Sequence, residues 1–181
     1  MKKIHILGLG ESLSTYKPDE FETFGVNDIW KKVHTDYLLC IDFPKVFTEE
    51  RRKIILASKP KIFFSHLDGS EVPREENYNW TQMPNFKKIT FGSLLTIESG
   101  EVPKSNNSTY CAVCIAYQIG YEKIIMHGVD FKNHHQLNKN GNFEKAMRDF
   151  KTLYDYLKSK NINLFVSSKI SSLSDFIPVG I

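Results

Sequence analysis

The sequence predicts a single α/β domain of Rossmann-like type, with a mainly parallel sheet and helices on both faces. Three observations predict it. Short apolar runs alternate with amphipathic stretches along the chain. Most of the inferred strand-to-strand connections carry a helix, which is how parallel strands are joined. The 181 residues, 41% hydrophobic and 25% charged, suit one domain around one core, and they show no internal repeat and no domain boundary.

Lys3 to Leu7 (KIHIL) reads as the first strand, ending at Gly8. Phe24 to Val26 reads as a short second strand running into Asn27-Asp28, and Asp36 to Ile41 as a third, ending at Asp42. Thr48 to Ala57 is predicted helical, with Thr48 as N-cap ahead of Glu49 and Glu50. Lys61 to Ser65 is the fourth strand. Residues 66–87 are irregular, with Tyr78 and Trp80 as the large apolar groups, and suggest a surface excursion able to act as a flap. Lys88 to Phe91 reads as a further short strand. Asn107 to Gly120 is predicted to be a buried helix closed by its C-terminal glycine. Lys123 to Met126 is a strand stopping at His127-Gly128, and 132–141 a polar loop. Phe143, Ala146, Met147, Phe150, Leu153, Tyr154 and Leu157 recur at helical spacing, the clearest amphipathic pattern in the chain. Ile162 to Val166 is the last strand, followed by a Ser-rich and then apolar tail.

Composition narrows the function classes. The net charge is +3 and no Lys/Arg block is long enough for a nucleic-acid arm; the balance suits an anionic small molecule such as a nucleotide. No apolar stretch reaches the roughly 18 residues of a membrane span. The start, MKKIHILGLG, lacks the h-region and cleavage site of a secretory signal. With three cysteines, this points to a reducing cytoplasm. Cys111 and Cys114 form a CxxC inside an apolar helical stretch with no second pair for zinc, so two buried thiols are expected.

In a parallel sheet, ligands bind at the carboxyl ends of the strands, so the polar residues there matter most. Gly8 and Gly10 allow a tight turn and close approach of a phosphate or ribose, but Leu13 stands where a dinucleotide fingerprint needs its third glycine, which disfavours NAD. Asn27 could bond a base or sugar, or Asn27-Asp28 could form a simple turn. Carboxylates at strand ends, Asp28, Asp42 and Asp130, could hold Mg²⁺ or ribose hydroxyls, or cap the next segment. Ser105, Asn106, Asn107, Ser108 and Thr109 precede the buried helix and its free N–H groups, a setting for an anion or a base edge, with one of them serving as N-cap. His134 and His135 could act as general base, or be solvated loop residues; His5 and His127 read as structural.

The segments GLGESL, GVND, NNSTYCAVCIAYQIGYEKIIMHGVDF and NLFVSSKISSLSDFIP together resemble the Campylobacter-type sialyltransferases of glycosyltransferase family 42. They also resemble the wider DUF115 proteins, which include the archaeal 6-hydroxymethylpterin diphosphokinases. The likeness spans most of the chain and is concentrated in 4–28 and 105–131. It implies a CMP pocket lined by Gly8, Gly10, Ser12, Asn27 and the stretch Ser105, Asn106, Asn107. It implies a serine contact from Ser167, Ser168, Ser171 or Ser172, and a catalytic base at His134 or His135. The chain departs from that pattern in having Lys132 where the family has a phosphate-contacting Tyr, and Lys104 as the nearest cation to a family Arg. The loop 132–141 is also short where the family carries a long lid; closure would then fall to 66–87, or the chemistry differs.

The resemblance implies transfer from a cytidine nucleotide sugar to a small or glycan hydroxyl acceptor, with inversion and without a cofactor. The resemblance, with the chain's departures from it, implies two alternatives. One is an ATP- and Mg²⁺-dependent diphosphotransferase, and the other is a nucleotide-binding protein without turnover. The resemblance also allows a homo-oligomer, since its relatives often assemble.

Overall fold

The structure, a computed structural model, describes residues 1–67, Trp80, Met83, 85–131 and 142–180, with the backbone alone at position 44. Among these, seven strands make one sheet in which every pairing is parallel. They are β1 (Lys3–Leu7), β2 (Glu22–Val26), β3 (Tyr37–Leu39), β4 (Ile62–Ser65), β5 (Phe86–Lys88), β8 (Lys123–His127) and β9 (Asn163–Val166). A two-stranded ribbon pairs β6 (Phe91–Gly92) with β7 (Val102–Pro103). Three α-helices accompany them: α1 (Glu49–Ala57), α2 (Ser108–Gln118) and α3 (Asn142–Ser159).

Side-chain alternation along the strands divides the interior into two layers. Ile4, Ile6, Phe24, Val26, Leu39 and Phe64 join one core with the buried face of α2 and with Phe150, Leu153 and Leu157 of α3. Leu7, Leu38, Cys40 and Phe63 face the other way, into a core closed by Ile55 of α1, Phe47 and Trp80. Helices therefore cover both faces, as the sequence predicts. α2 is buried from Thr109 through Ala116 because its sequence is apolar all round, the mark of a helix packed on several sides. Cys111 and Cys114 lie in that run as buried free thiols; burial pushes Cys111 up to about 12, and Cys114 is raised as well. Neither is a reactive thiolate.

The strand expectations hold in existence and shift at their ends. Asp36 to Ile41 shortens to Tyr37–Leu39. The strand expected from Lys88 to Phe91 is two separate pieces: Phe86–Lys88 extends the main sheet beside β4, while Phe91–Gly92 pairs with β7. The reason is that each finds its partner elsewhere in the chain. Of the expected excursion 66–87, Trp80 is fully buried against Phe47 and Phe63, with its indole N–H donating to the Asp42 carbonyl at 3.2 Å. It is a core anchor. Tyr78 and most of that segment lie outside the described residues.

The strand order, β5-β4-β3-β2-β1-β8-β9, places the site. From β1 the chain builds outward in one direction through β2, and β8 then returns to the opposite side of β1. The crevice at the carboxyl ends of β1 and β8 is thus a topological switch point, the position where open parallel sheets bind ligands.

Candidate functional site

A cavity of about 600 Å³ opens at that switch point. Its floor is the β1 turn (Gly8, Leu9, Gly10) and the β8 turn (Gly128, Val129, Asp130). Val26, Asn27 and Asp42 from the ends of β2 and β3 form one side, the residues leading into α2 another, and α3 a third.

The two turns are held against each other by backbone. Gly8 N–H donates to His127 O at 2.8 Å, and Gly10 N–H to Gly128 O at 2.8 Å. A β-carbon at Gly8 would stand 2.4 Å from Gly128 O, so that position tolerates no side chain. The glycine pair therefore serves the contact between the two turns first, and Leu9 is left at the exposed tip facing the cavity. Ser12 and Asp130 complete the join. Asp130 Oδ2 accepts from the Ser12 N–H at 2.8 Å, and Oδ1 accepts from the Ser12 hydroxyl. The Ser12 Oγ in turn accepts from Gly128 N–H at 3.0 Å. Ser171 Oγ–H donates to Val129 O at 2.6 Å, and Ser172 N–H to Asp130 O at 3.0 Å, tying in the C-terminal segment.

These bonds redistribute the roles the sequence suggested. Gly8, Gly10, Asn27, Ser105, Asn106, Asn107 and Asp130 all line one cavity. Ser12, Asp28, Ser168 and Ser171 are not in the lining. Ser12 and Ser171 are buried latch residues, and Asp28 is ion-paired with Arg51 of α1 at 2.8 Å. Ser168 Oγ accepts the Ile170 N–H at 3.1 Å. His134, His135 and Lys132 lie outside the described residues.

Asn27 is the most pointed of the lining groups. It sits at φ 53°, a left-handed conformation uncommon for a residue with a side chain. Its backbone N–H is tied to Leu39 O at 2.9 Å, while its Oδ1 is buried with no hydrogen-bond partner among the described residues. A buried amide oxygen without a donor costs about 1–3 kcal/mol, so it is poised for a ligand N–H or O–H. Phe131, also at positive φ (57°), lines the cavity and packs edge-on against Phe150. Such strain gathers where a site holds its backbone in one shape.

The α2 entrance is organised by its own side chains. Asn107 is the N-cap, its Oδ1 accepting from Tyr110 N–H at 3.0 Å and from the Thr109 hydroxyl at 2.5 Å. Ser105 Oγ accepts the Asn107 N–H at 3.3 Å. With these engaged, the exposed Asn106 and the first N–H groups of α2 face the cavity with the positive end of the helix dipole behind them. At the other wall, desolvation raises the Asp42 carboxyl above the usual carboxylate range against the pull of Arg51 and His66.

Sequence reading missed the α3 wall: Asn142, Lys145, Ala146 and Asp149. The amphipathic pattern marked the buried stripe of this helix but carried no signal separating a polar face in water from one over a cavity.

No protein-family model matches the sequence, and a search of curated proteins found no match. Solved structures do match. The chain is similar to the sialyltransferase CstII from Campylobacter jejuni in complex with cytidine-5'-monophosphate, with a TM-score of 0.58 and 18% identity over 100% of this chain and 86% of that one. An α-2,3/8-sialyltransferase CstII F91Y variant gives 0.62 and 17% over 99% and 87%. An α-2,3-sialyltransferase from Campylobacter jejuni gives 0.58 and 20% over 100% and 80%. At these identities the likeness establishes a shared fold.

Proposed function

We propose that this chain is a nucleotide-binding transferase of the sialyltransferase type, taking a cytidine nucleotide sugar as donor and passing the sugar, with inversion, to a hydroxyl of a small or glycan acceptor. One observation carries the reading: the cavity lies at the switch point and combines a buried, unpartnered Asn27 Oδ1 with the capped N-terminus of α2. The first suits a donor group on a base or sugar, and the second an anion. The shared fold supports it, since two of the solved neighbours hold CMP or a trisaccharide acceptor with CMP.

In this reading the nucleotide lies across the strand ends, with its phosphate toward the α2 N-terminus and its nucleoside toward Asn27. The acceptor hydroxyl loses its proton to a base, for which His134 and His135 are the candidates. The oxygen forms a bond to the anomeric carbon from the face opposite the phosphate. The bond between that carbon and the phosphate oxygen breaks, and CMP leaves with the electron pair. Helix N–H groups and a nearby cation stabilise the departing charge, so in this reading the reaction requires no cofactor.

A thermal-shift panel of CMP, CDP, UMP, S-adenosylmethionine, and ATP with and without Mg²⁺ tests the reading. CMP alone should raise Tm, by an amount that grows with the logarithm of its concentration. No shift with CMP at millimolar concentration would overturn it, and a shift only with ATP and Mg²⁺ would move the chain to the diphosphotransferase alternative.

A further inference from the structure

Asn142, Lys145, Ala146 and Asp149 recur at i, i+3, i+4 and i+7, so one stripe of α3 faces the cavity while Phe150, Leu153 and Leu157 fix the helix to the core. Lys145 is the one basic side chain lining the cavity among the described residues; Glu11, Asp42, Asp130 and Asp149 also line it. An anion entering meets more carboxylates than cations, and a helix N-terminus supplies only a partial positive charge. Lys145 Nζ stands 2.7 Å from Asp149 Oδ2, with the Lys145 side chain 51% exposed. An ion pair this open is weak and easily shared. An ammonium group carries three donors, so it can keep Asp149 and bond a ligand oxygen at once.

We propose that Lys145 is the cationic contact for the ligand's anionic group, whether the phosphate of the nucleotide or a carboxylate on the sugar it carries, and that Asp149 competes with that group for the same ammonium. This rests on the nucleotide reading above.

Titration calorimetry with cytidine, CMP and a CMP-linked acidic sugar separates the possibilities. Lys145→Gln should weaken CMP or the CMP-linked sugar about tenfold, the scale of one charge-assisted hydrogen bond, and leave cytidine within about twofold. A loss already present with CMP assigns the contact to phosphate; a loss confined to the CMP-linked acidic sugar assigns it to the carboxylate. Lys145→Arg should restore most of the affinity, and Asp149→Asn should tighten anion binding about twofold by freeing the ammonium. Unchanged affinities in Lys145→Gln, or equal losses for cytidine and the charged ligands, overturn the inference and leave the nucleotide reading standing. If the wild-type chain binds none of the three, both fall.

Discussion

Gly10 faces the Asp130 carboxylate so closely that a β-carbon there would stand 2.6 Å from Oδ2 and 2.8 Å from Gly128 O. Both neighbours are fixed, the carboxylate by two bonds from Ser12 and the carbonyl by the Gly10 N–H itself. Gly10→Ala should therefore cost about 1–3 kcal/mol, the usual penalty for overpacking. Urea unfolding should show a lower midpoint with an unchanged slope, while Leu95→Ala, at a 94% exposed position, stays within about 0.5 kcal/mol of wild type. The sequence makes the glycine turn readable but not its partner. Gly-x-Gly marks a position where a side chain cannot fit, yet what fills that space is Gly128 and Asp130, far along the chain. Ser12 shows the same gap: the resemblance placed it against a nucleotide, whereas its hydroxyl is spent on Asp130 and Gly128. Lys145 and Asp149 were beyond reach for another reason, since charged residues on an amphipathic helix read as solvated whatever they face.

The elements most legible in the sequence are those whose signal is local. α2 begins where Asn107 caps it and ends at a glycine with φ 88°, and α3 follows its apolar spacing; both depend on residues within a turn of one another. The strand ends depend on neighbours instead. Cys40 continues the apolar run of β3, but its N–H bonds Phe64 O at 3.0 Å where the ladder is already ending. The ribbon of β6 and β7 has no alternation long enough to read, being two residues on each side. The α2 cap also connects stability to the site. Asn107→Ala should lose about 1 kcal/mol of stability, because the Tyr110 N–H loses its acceptor. Asn107→Asp keeps an equally good cap and gains from the dipole, so stability should hold within about 0.5 kcal/mol. It nevertheless places a negative charge at the proposed phosphate position, and CMP affinity should fall about tenfold. Chemical denaturation beside CMP titration checks the divergence; unchanged CMP affinity in Asn107→Asp would remove the phosphate from this end of α2.

The whole molecule depends on a polar chain buried across its central strands. His5 on β1 and His127 on β8 point to the face opposite Ile4 and Ile6, with His5 Nδ1 2.9 Å from His127 Nε2. His5 Nε2 is 3.1 Å from Asp19 Oδ2, and His127 Nδ1 is 3.2 Å from the Thr15 hydroxyl. A carboxylate beside His5 Nε2 fixes the proton on that nitrogen. His5 Nδ1 is then the acceptor, and His127 donates to it through Nε2–H. Both rings are neutral in this arrangement, and a proton added at His5 Nδ1 would oppose one N–H to another. Burial, together with the nearby positive charge, holds His127 down to about 4, and burial outweighs the attraction of Asp19 at His5, which is also lowered. The sign follows directly. With a folded value near 4 and an unfolded value of about 6.5, the unfolded chain binds the extra proton in between. Stability is thus complete above about pH 6.5 and declines as pH falls toward 4. Lowered carboxylates such as Asp19 and Glu22 add their own loss only at the acid end, as they protonate. Thermal unfolding between pH 4.5 and 7 should therefore show Tm dropping with acidity well before carboxylate titration begins. In His127→Asn that slope should flatten, whatever its starting Tm. An equally steep slope in the variant would mean that the acid sensitivity of this fold arises away from the β1–β8 seam, the same seam that carries the cavity at its end.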